Sequence, residues 1–252
     1  MSSTDNAAAI RSFRVLEILA MAGRPMPLSE VVKEINLPKQ TVHRILKQLE
    51  AAWLIVQVSD SKKYECSARI RHFSLKVLMS SGSLAVERHA LLSELVERVE
   101  LNCNLTAISG HEIIYLDRAQ HPNAMRLSLK PGSHVPMHCS ASGKLLLSLL
   151  PKQRRDRLLH SLPLRARTAQ SIVEPEVLDA ELTCTRKRRY GTSRHEHVED
   201  MNAIAVPVQV GKNRICAAVA VQAFEQERSF DQLMELMPTL QQTAGEIAKT
   251  FL

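Results

Sequence analysis

The stretch LPKQTVHRILKQL, residues 37–49, decides how the first third of the chain folds. Val42, Ile45, Leu46 and Leu49 follow the i, i+3, i+4, i+7 spacing of one apolar stripe on an α-helix. Pro38 suits a first helical turn, where its missing N–H costs nothing. The opposite face carries Lys39, Gln40, Thr41, His43, Arg44, Lys47 and Gln48. A helix over residues 38–52 thus has one side to bury and one basic, amide-rich side to present. The same pattern also fits an ordinary amphipathic helix with a solvated basic face, so its neighbours must discriminate.

Upstream, Ile10, Phe13, Leu16 and Leu19 predict a helix over residues 6–22, stopped by Gly23. Pro25-Met26-Pro27 is expected to turn the chain. Ser29 is the expected N-cap of a short helix with Val31, Val32 and Ile35 on its apolar side, broken by Asn36-Leu37-Pro38. Downstream, residues 54–58 are β-branched and apolar, residues 59–63 form a polar turn, and residues 64–66 return as a second strand. Lys62 and Lys63 sit at the tip of that hairpin. Three helices followed by a basic hairpin are the layout of a winged helix-turn-helix, whose recognition helix buries one face and offers the other to the major groove. On this layout Gln40 and Arg44 can hydrogen-bond base edges, and His43 shares their face. Thr41 can touch a thymine methyl or a phosphate. Lys39 and Lys47 can contact phosphates, which set register, and Lys62 and Lys63 at the hairpin tip can reach the backbone or the minor groove.

Composition agrees with this. The net charge of +7 favours a polyanionic partner. Residues 1–84 hold twelve Lys/Arg against seven Asp/Glu, a net of +5, so the excess lies in the first third. At 45% apolar residues the chain is not disordered by composition, and with 4% aromatics its core must rest on aliphatic side chains. The five cysteines are odd in number and lack CxxC spacing, and no signal-peptide pattern opens the chain. They read as reduced thiols. No apolar run approaches the roughly 18–20 residues that span a bilayer. A cytoplasmic protein with no membrane partner is expected.

Residues 69–80 predict a further helix, with Ile70, Phe73, Val77 and Leu78 on one side, ending near Ser80-Ser81-Gly82-Ser83. This helix can pair domains, with Phe73 and Val77 as contacts, or pack within its own chain. The predicted organisation is a DNA-binding domain over residues 1–66, a linker helix over 67–84, and a larger domain over 85–252. In the larger domain, helices are expected over residues 86–100, 142–150, 152–160, 175–189 and 230–251. Strands are expected over residues 103–109, 112–119, 125–129, 203–210 and 214–223, with a long loop at 131–141. Antiparallel strands with helices packed on the sheet mean α+β. Where small residues lead into the helix at 142, the N–H groups of Ser142, Gly143 and Lys144 are expected to be free for an anion. A plain helix capped by Ser140 or Ser142 is the alternative.

With those residues in view, residues 9–66 resemble the DNA-binding domain of the IclR family of bacterial regulators, on the stretch quoted above. PGSHVPMHCSASGK at 131–144 resembles that family's LH-small-S-A-x-GK segment. RYG at 189–191, EHVE at 196–199 and AIAVPV at 203–208 resemble its later signature. The likeness covers about residues 9–250. It implies a winged helix-turn-helix, a linker helix and a C-terminal α/β sandwich-like, GAF-like effector-binding domain. It implies a homodimer or dimer of dimers on a palindromic or repeated operator in double-stranded DNA. It also implies small organic acids as effectors, and repression as the commoner outcome. Carried over residue by residue, the effector pocket comprises Ala141, Ser142 and Gly143 at the helix start, Ser193 or Arg194 on a loop, Ala203 at a strand start, and Ala220 and Gln222 on the last strand. Leu127 and Val135 form its apolar wall.

The departures are informative. Some relatives carry an acidic residue near 193–194, a cysteine at 203 and serines at 220 and 222. The changes here imply a less polar pocket that admits a larger organic anion, aromatic acids included. Trp53 and Asp200 stand where the family has glycines. The recognition helix is therefore expected to end without a left-handed cap, and the loop at 200 to take another path. Two other functions fit parts of the sequence. His134, His138, Cys139, His195 and His197 invite a metal-dependent enzyme, but zinc needs three or four converging ligands, and no GxSxG, HExxH, P-loop or GxGxxG occurs. No catalytic residue, metal or cofactor is expected. A sensor-free nucleic-acid-binding module accounts for the basic N-terminus but leaves the nearly neutral residues 85–252 unexplained.

Overall fold

The structure is a computed structural model that describes residues 8–58, 61–79, 82–124, 129–211 and 214–251. The chain divides into two compact units, residues 1–77 and 78–252. The first holds α1 (Ala8–Ala22), β1 (Met26–Pro27), α2 (Leu28–Ile35), α3 (Lys39–Ala51), β2 (Ile55–Val58) and β3 (Lys63–Cys66). Helix α4 (Ala68–Met79) follows, and the division between the units falls within it. Val15, Leu19, Val31, Ile35, Val42, Ile45, Leu46, Leu49, Ile55 and Tyr64 form one buried cluster. Helix α1 contributes Val15 and Leu19, four apart, whereas Ile10 and Phe13 stay exposed. The three-residue recurrence in the sequence thus drifts off the buried face.

Pairing across the small sheet moves the start of α2. Met26 and Pro27 are not only a turn; they pair antiparallel with Tyr64 and Lys63, giving strand order β1-β3-β2. Pro27 tolerates this because it lies on an edge strand. Helix α2 then begins at once at Leu28 with Pro27 as its N-cap, so Ser29 lies inside the first turn. Beyond α3, Trp53 itself takes the left-handed conformation, with φ at 58°. The helix therefore ends as a glycine would end it, against expectation, at a local cost of about 1–2 kcal/mol. Ser67 Oγ donates to the Trp53 carbonyl at 2.7 Å and Arg69 donates to the Ala52 carbonyl at 2.9 Å, which hold that corner.

The second unit runs α5 (Ser83–Val99), β4 (Asn102–Ser109), β5 (Glu112–Ala119), β6 (His134–Pro136), α6 (Ala141–Leu149), α7 (Lys152–Ser161) and α8 (Pro175–Arg188). It continues with β7 (Gly191–Arg194), β8 (Met201–Val210), β9 (Arg214–Phe224), α9 (Phe230–Glu235) and α10 (Met237–Lys249). Six antiparallel strands form one sheet in the order β6-β5-β4-β9-β8-β7. Strand alternation sends Ile113, Tyr115, Ala205 and Ala218 to one face, where they meet Leu145 of α6 and Leu178 and Leu182 of α8. Helices α5 and α10 also pack on the sheet, burying Leu92, Leu95, Leu240 and Ile247. The chain is α+β, with a winged helix-turn-helix first and a sheet sandwiched by helices second.

Three features of this unit were not expected. The loop at 131–141 contains β6, which adds to β5, and the stretch after residue 190 is a sheet strand, β7. Both are three or four residues long, too short for a periodic pattern to stand out along the chain, so only the neighbouring strand defines them. The last helix is two. Ser229 caps α9 with a capping box to Gln232, and Pro238 in the first turn of α10 cannot continue the preceding helix. The expected strand at 125–129 lies outside the described residues except for Leu129, which is not in a strand. Among the described residues no helix is long and apolar enough to cross a membrane.

Candidate functional site

In the first unit, burial of Val42, Ile45, Leu46 and Leu49 fixes the rotation of α3. Lys39, Gln40, His43, Arg44, Lys47 and Gln48 are then exposed and Thr41 is half-buried. Lys47 donates to Glu50 at 2.9 Å, so part of its charge is met within the helix. The exposed face keeps Gln40 and Arg44 for paired hydrogen bonds and Lys39 for phosphate. Lys62 and Lys63 are exposed at the hairpin tip, where Lys62 takes a φ of 48°.

In the second unit, a cavity of about 30 Å³ lies under the N-terminus of α6. Of the residues carried over from the family, Val135, Ala141, Ser142, Ser193, Ala203, Ala220 and Gln222 line it. Leu127 lies outside the described residues. Gly143 does not line the cavity: a side chain there would strike the Met137 backbone and meet Ser140 Oγ at 2.6 Å, so this glycine serves close packing. Arg194 turns away, its guanidinium 4.3 Å from the Phe230 ring centroid. Its neighbour Ser193 is buried in β7 and donates to the Cys139 carbonyl at 2.9 Å. Thr106, Ile113, Tyr115, Ser140, His197 and Met201 also line the cavity and were not expected. Met201 could have been found by counting two residues back from Ala203 along the same strand, whereas Thr106, Ile113 and Tyr115 lie on β4 and β5, and Ser140 and His197 lie outside the strands.

Of the three N–H groups expected to be free, those of Gly143 and Lys144 are taken by the Ser140 cap, and only that of Ser142 stays open. Helix α6 begins at Ala141 with Ser140 as N-cap. Ser140 Oγ accepts the Gly143 N–H at 3.2 Å, and the Ser140 carbonyl accepts the Lys144 N–H at 2.9 Å. The N–H groups left without an intrahelical acceptor are therefore those of Ala141 and Ser142, and both residues line the cavity. Two such groups at a helix N-terminus suit an anion. Asp200 holds a φ of 57°, so the loop follows the path a glycine would allow.

Behind the first turn of α6, Lys144 is 2% exposed. Its ammonium donates to Glu196 Oε1 at 2.6 Å and lies 3.3 Å from Glu181 Oε1, which also accepts from Arg188 at 2.9 Å. Burial dominates at Glu196 and holds its carboxyl above the usual range despite Lys144. At Glu181 burial acts the same way, but Lys144 and Arg188 outweigh it and the carboxyl lies below the usual range. The network ties α6 to α8 and to the loop before β8.

The histidines and cysteines form no common centre. His195 faces Asp200 and Glu225, while Cys139 Sγ lies 3.8 Å from His197 Nδ1. Among the described residues no three His, Cys, Asp or Glu gather as metal ligands. Burial and the Glu196 carboxylate push the Cys139 thiol up to about 12, and a thiol held protonated is a poor nucleophile. Burial, with Arg167 and His138, lowers His197 from 6.5 to about 4. The folded imidazole thus stays neutral where the unfolded one takes a proton. Its contribution to stability is full above pH 6.5 and is lost as the pH falls toward 4, on the order of 3 kcal/mol at the bottom of that window. Thermal melts across that range should show the decline, and His197→Gln should flatten it; an unchanged slope would place the acid sensitivity elsewhere.

Comparison with known proteins bears on both units. The family model for the IclR helix-turn-helix domain matches residues 8–59, and that for the bacterial transcriptional regulator IclR C-terminal matches residues 77–249. A probable transcriptional regulator SauR of Cupriavidus necator is 50% identical over 251 residues, covering 100% of this chain and 99% of the relative. The transcriptional repressor IclR of Escherichia coli is 27% identical, covering 96% and 88%. Among solved structures, a double mutant of the PobR inducer-binding domain from Acinetobacter, in complex with 3-hydroxybenzoic acid, is similar with a TM-score of 0.60. It is 25% identical and covers 64% of this chain and 94% of that one.

Proposed function

We propose, on the premise that the chain belongs to the IclR family of bacterial transcriptional regulators, that α3 reads operator bases while an organic acid in the α6 cavity sets the affinity for DNA. Membership makes the chain a DNA-binding regulator with an effector-binding domain, and not an enzyme. A sensor-free module is set aside by the same match over residues 77–249. The observation that carries the DNA reading is the fully buried stripe of α3, which fixes Gln40 and Arg44 outward. Residues 1–66 bind DNA, 67–84 link and 85–252 sense and oligomerise. The protein acts in the cytoplasm as a dimer or dimer of dimers on a palindromic or repeated site, because one recognition helix reads too few base pairs. Phe73 and Val77, 62% and 53% exposed on α4, are proposed dimer contacts. Repression is the proposed outcome, supported by the name of the E. coli relative.

The acid reading is supported by the Ala141 and Ser142 donors and by the acid bound to the similar PobR domain. A cavity of 30 Å³ holds about two waters, so an acid must widen it, an aromatic one more than a short one. Fluorescence anisotropy on the duplex upstream of its own gene, against a scrambled duplex over a salt series, tests the function. A preference of about 10³ or more is expected, with loss of DNA affinity when an effective acid is added. Equal weak binding to both duplexes, unmoved by any acid, would refute it for that site. Arg44→Ala should weaken specific binding by about 1–3 kcal/mol and relax base choice. Lys62→Ala should weaken binding to every sequence alike and lower the salt slope by about one ion. If Arg44→Ala keeps the full preference for operator, α3 is misplaced.

A further inference from the structure

On the sheet face that carries the cavity, Arg118 of β5 stands opposite Asn104 of β4, which stands opposite Ala220 of β9. Arg118 Nη1 donates to Asn104 Oδ1 at 3.3 Å, and Asn104 Nδ2 donates to Gln222 Oε1 at 3.4 Å. Gln222 lines the cavity. Arg118 and Gln222 are each 6% exposed and Asn104 is 1% exposed. A guanidinium only donates, so Asn104 must turn its oxygen to Arg118 and its amide to Gln222. Gln222 must then turn its oxygen to Asn104. That leaves Gln222 Nε2 at the cavity wall as a buried donor with no partner.

The head of the row is also unsatisfied. Arg118 Nε and Nη2 are buried without a hydrogen-bond partner. Among the described residues no carboxylate forms an ion pair with Arg118; the ionisable groups that act on it are Tyr115 and Cys103, both neutral at pH 7. Its neighbour Asp117 is engaged by His89. A buried cation with no counter-charge and two open donors is costly unless an anion reaches its field. The Ala141 and Ser142 N–H groups form a separate anion-favouring wall of the same cavity.

We propose that Arg118, acting through Asn104 and Gln222, makes this wall a second anion-receiving subsite, so that the effector is an organic acid carrying two acidic groups. One group meets the Ala141 and Ser142 N–H groups, and the other meets Gln222 Nε2 in the field of the Arg118 guanidinium. The proposal rests on the cavity being the effector site. It adds to that reading a requirement for a second charge.

Isothermal titration calorimetry of the full chain at constant ionic strength tests it, using length-matched pairs of acids. Malonate is compared with propionate, succinate with butyrate, and isophthalate with 3-methylbenzoate. In at least one pair the diacid is expected to bind about tenfold tighter or more. Arg118→Gln should abolish that preference, and Arg118→Lys, which keeps the charge, should retain most of it. Gln222→Glu, which sets a like charge in the subsite, should exclude the diacid and spare the monoacid. Equal binding of diacid and monoacid in every pair overturns the proposal and leaves the effector reading intact. So does a diacid preference that survives Arg118→Gln or, should that variant not fold, Gln222→Glu. If no acid binds and none changes DNA affinity, the effector reading fails and this proposal falls with it.

Discussion

Lys144→Met is expected to destabilise the C-terminal unit by about 3–5 kcal/mol, because it removes one partner of a buried charge network and leaves the others. The methionine fills most of the stem's volume, so the loss reports charge more than packing. Glu196, 7% exposed, would keep its carboxyl in the interior with only the Arg194 N–H as a partner for Oε1. Its carboxyl already lies above the usual range through burial, and loss of Lys144 removes the attraction that opposes this. A carboxyl raised in the folded state favours folding while protonated, and that benefit disappears as the pH rises through the raised value. The penalty of Lys144→Met should therefore be larger at pH 8 than at pH 5. Denaturant midpoints at the two pH values would show it, and adding Glu196→Gln should recover part of the loss at pH 8. A penalty equal at both values would mean that the aliphatic stem, not the ammonium, carries the effect.

Gly191→Ala should cost about 3 kcal/mol, the upper part of the usual range for overpacking. A Cβ at Gly191 would run into the Ala141 carbonyl and come within 2.8 Å of Leu145 Cβ. The carbonyl is backbone in the first turn of α6, which cannot swing aside as a side chain does. Helix α6 would have to lift from β7, and the Ala141 and Ser142 donors would move with it. A fall in melting temperature together with weaker acid binding is the expected pair of results. Gly245→Ala is the internal contrast. It lies in α10 with open space around it, so alanine there should stabilise by about 0.5–1 kcal/mol through helix propensity. A Gly191 variant that melts like the native chain would mean that α6 and β7 do not approach so closely in solution.

The two units differ in how much of them could be read along the chain. Helix α3 was legible to within a residue, because its buried stripe and basic face are set by local spacing. The long strands β4, β5, β8 and β9 were legible for the same reason. Strands β1, β6 and β7, of two to four residues, were not, since their pairing partners lie far away in sequence. The left-handed residues Trp53 and Asp200 show the same limit from the other side. Local preference disfavours that conformation, and the surrounding hydrogen bonds impose it.

By itself, the amino-acid sequence determined the family, the winged helix-turn-helix, the outward face of α3 and the small residues that open α6. The helix faces depend on residue spacing within one element, which the chain carries locally, and the family rests on the motifs at 37–49, 131–144, 189–191, 196–199 and 203–208. Only the tertiary structure decided that Gly143 and Gly191 serve close packing, that Lys144 is buried between carboxylates, and that Arg118 and Asn104 stand in line with Gln222. Those relations join residues up to 118 positions apart through sheet register and helix packing. Whether a buried charge is paired or left open depends on what the rest of the fold brings beside it.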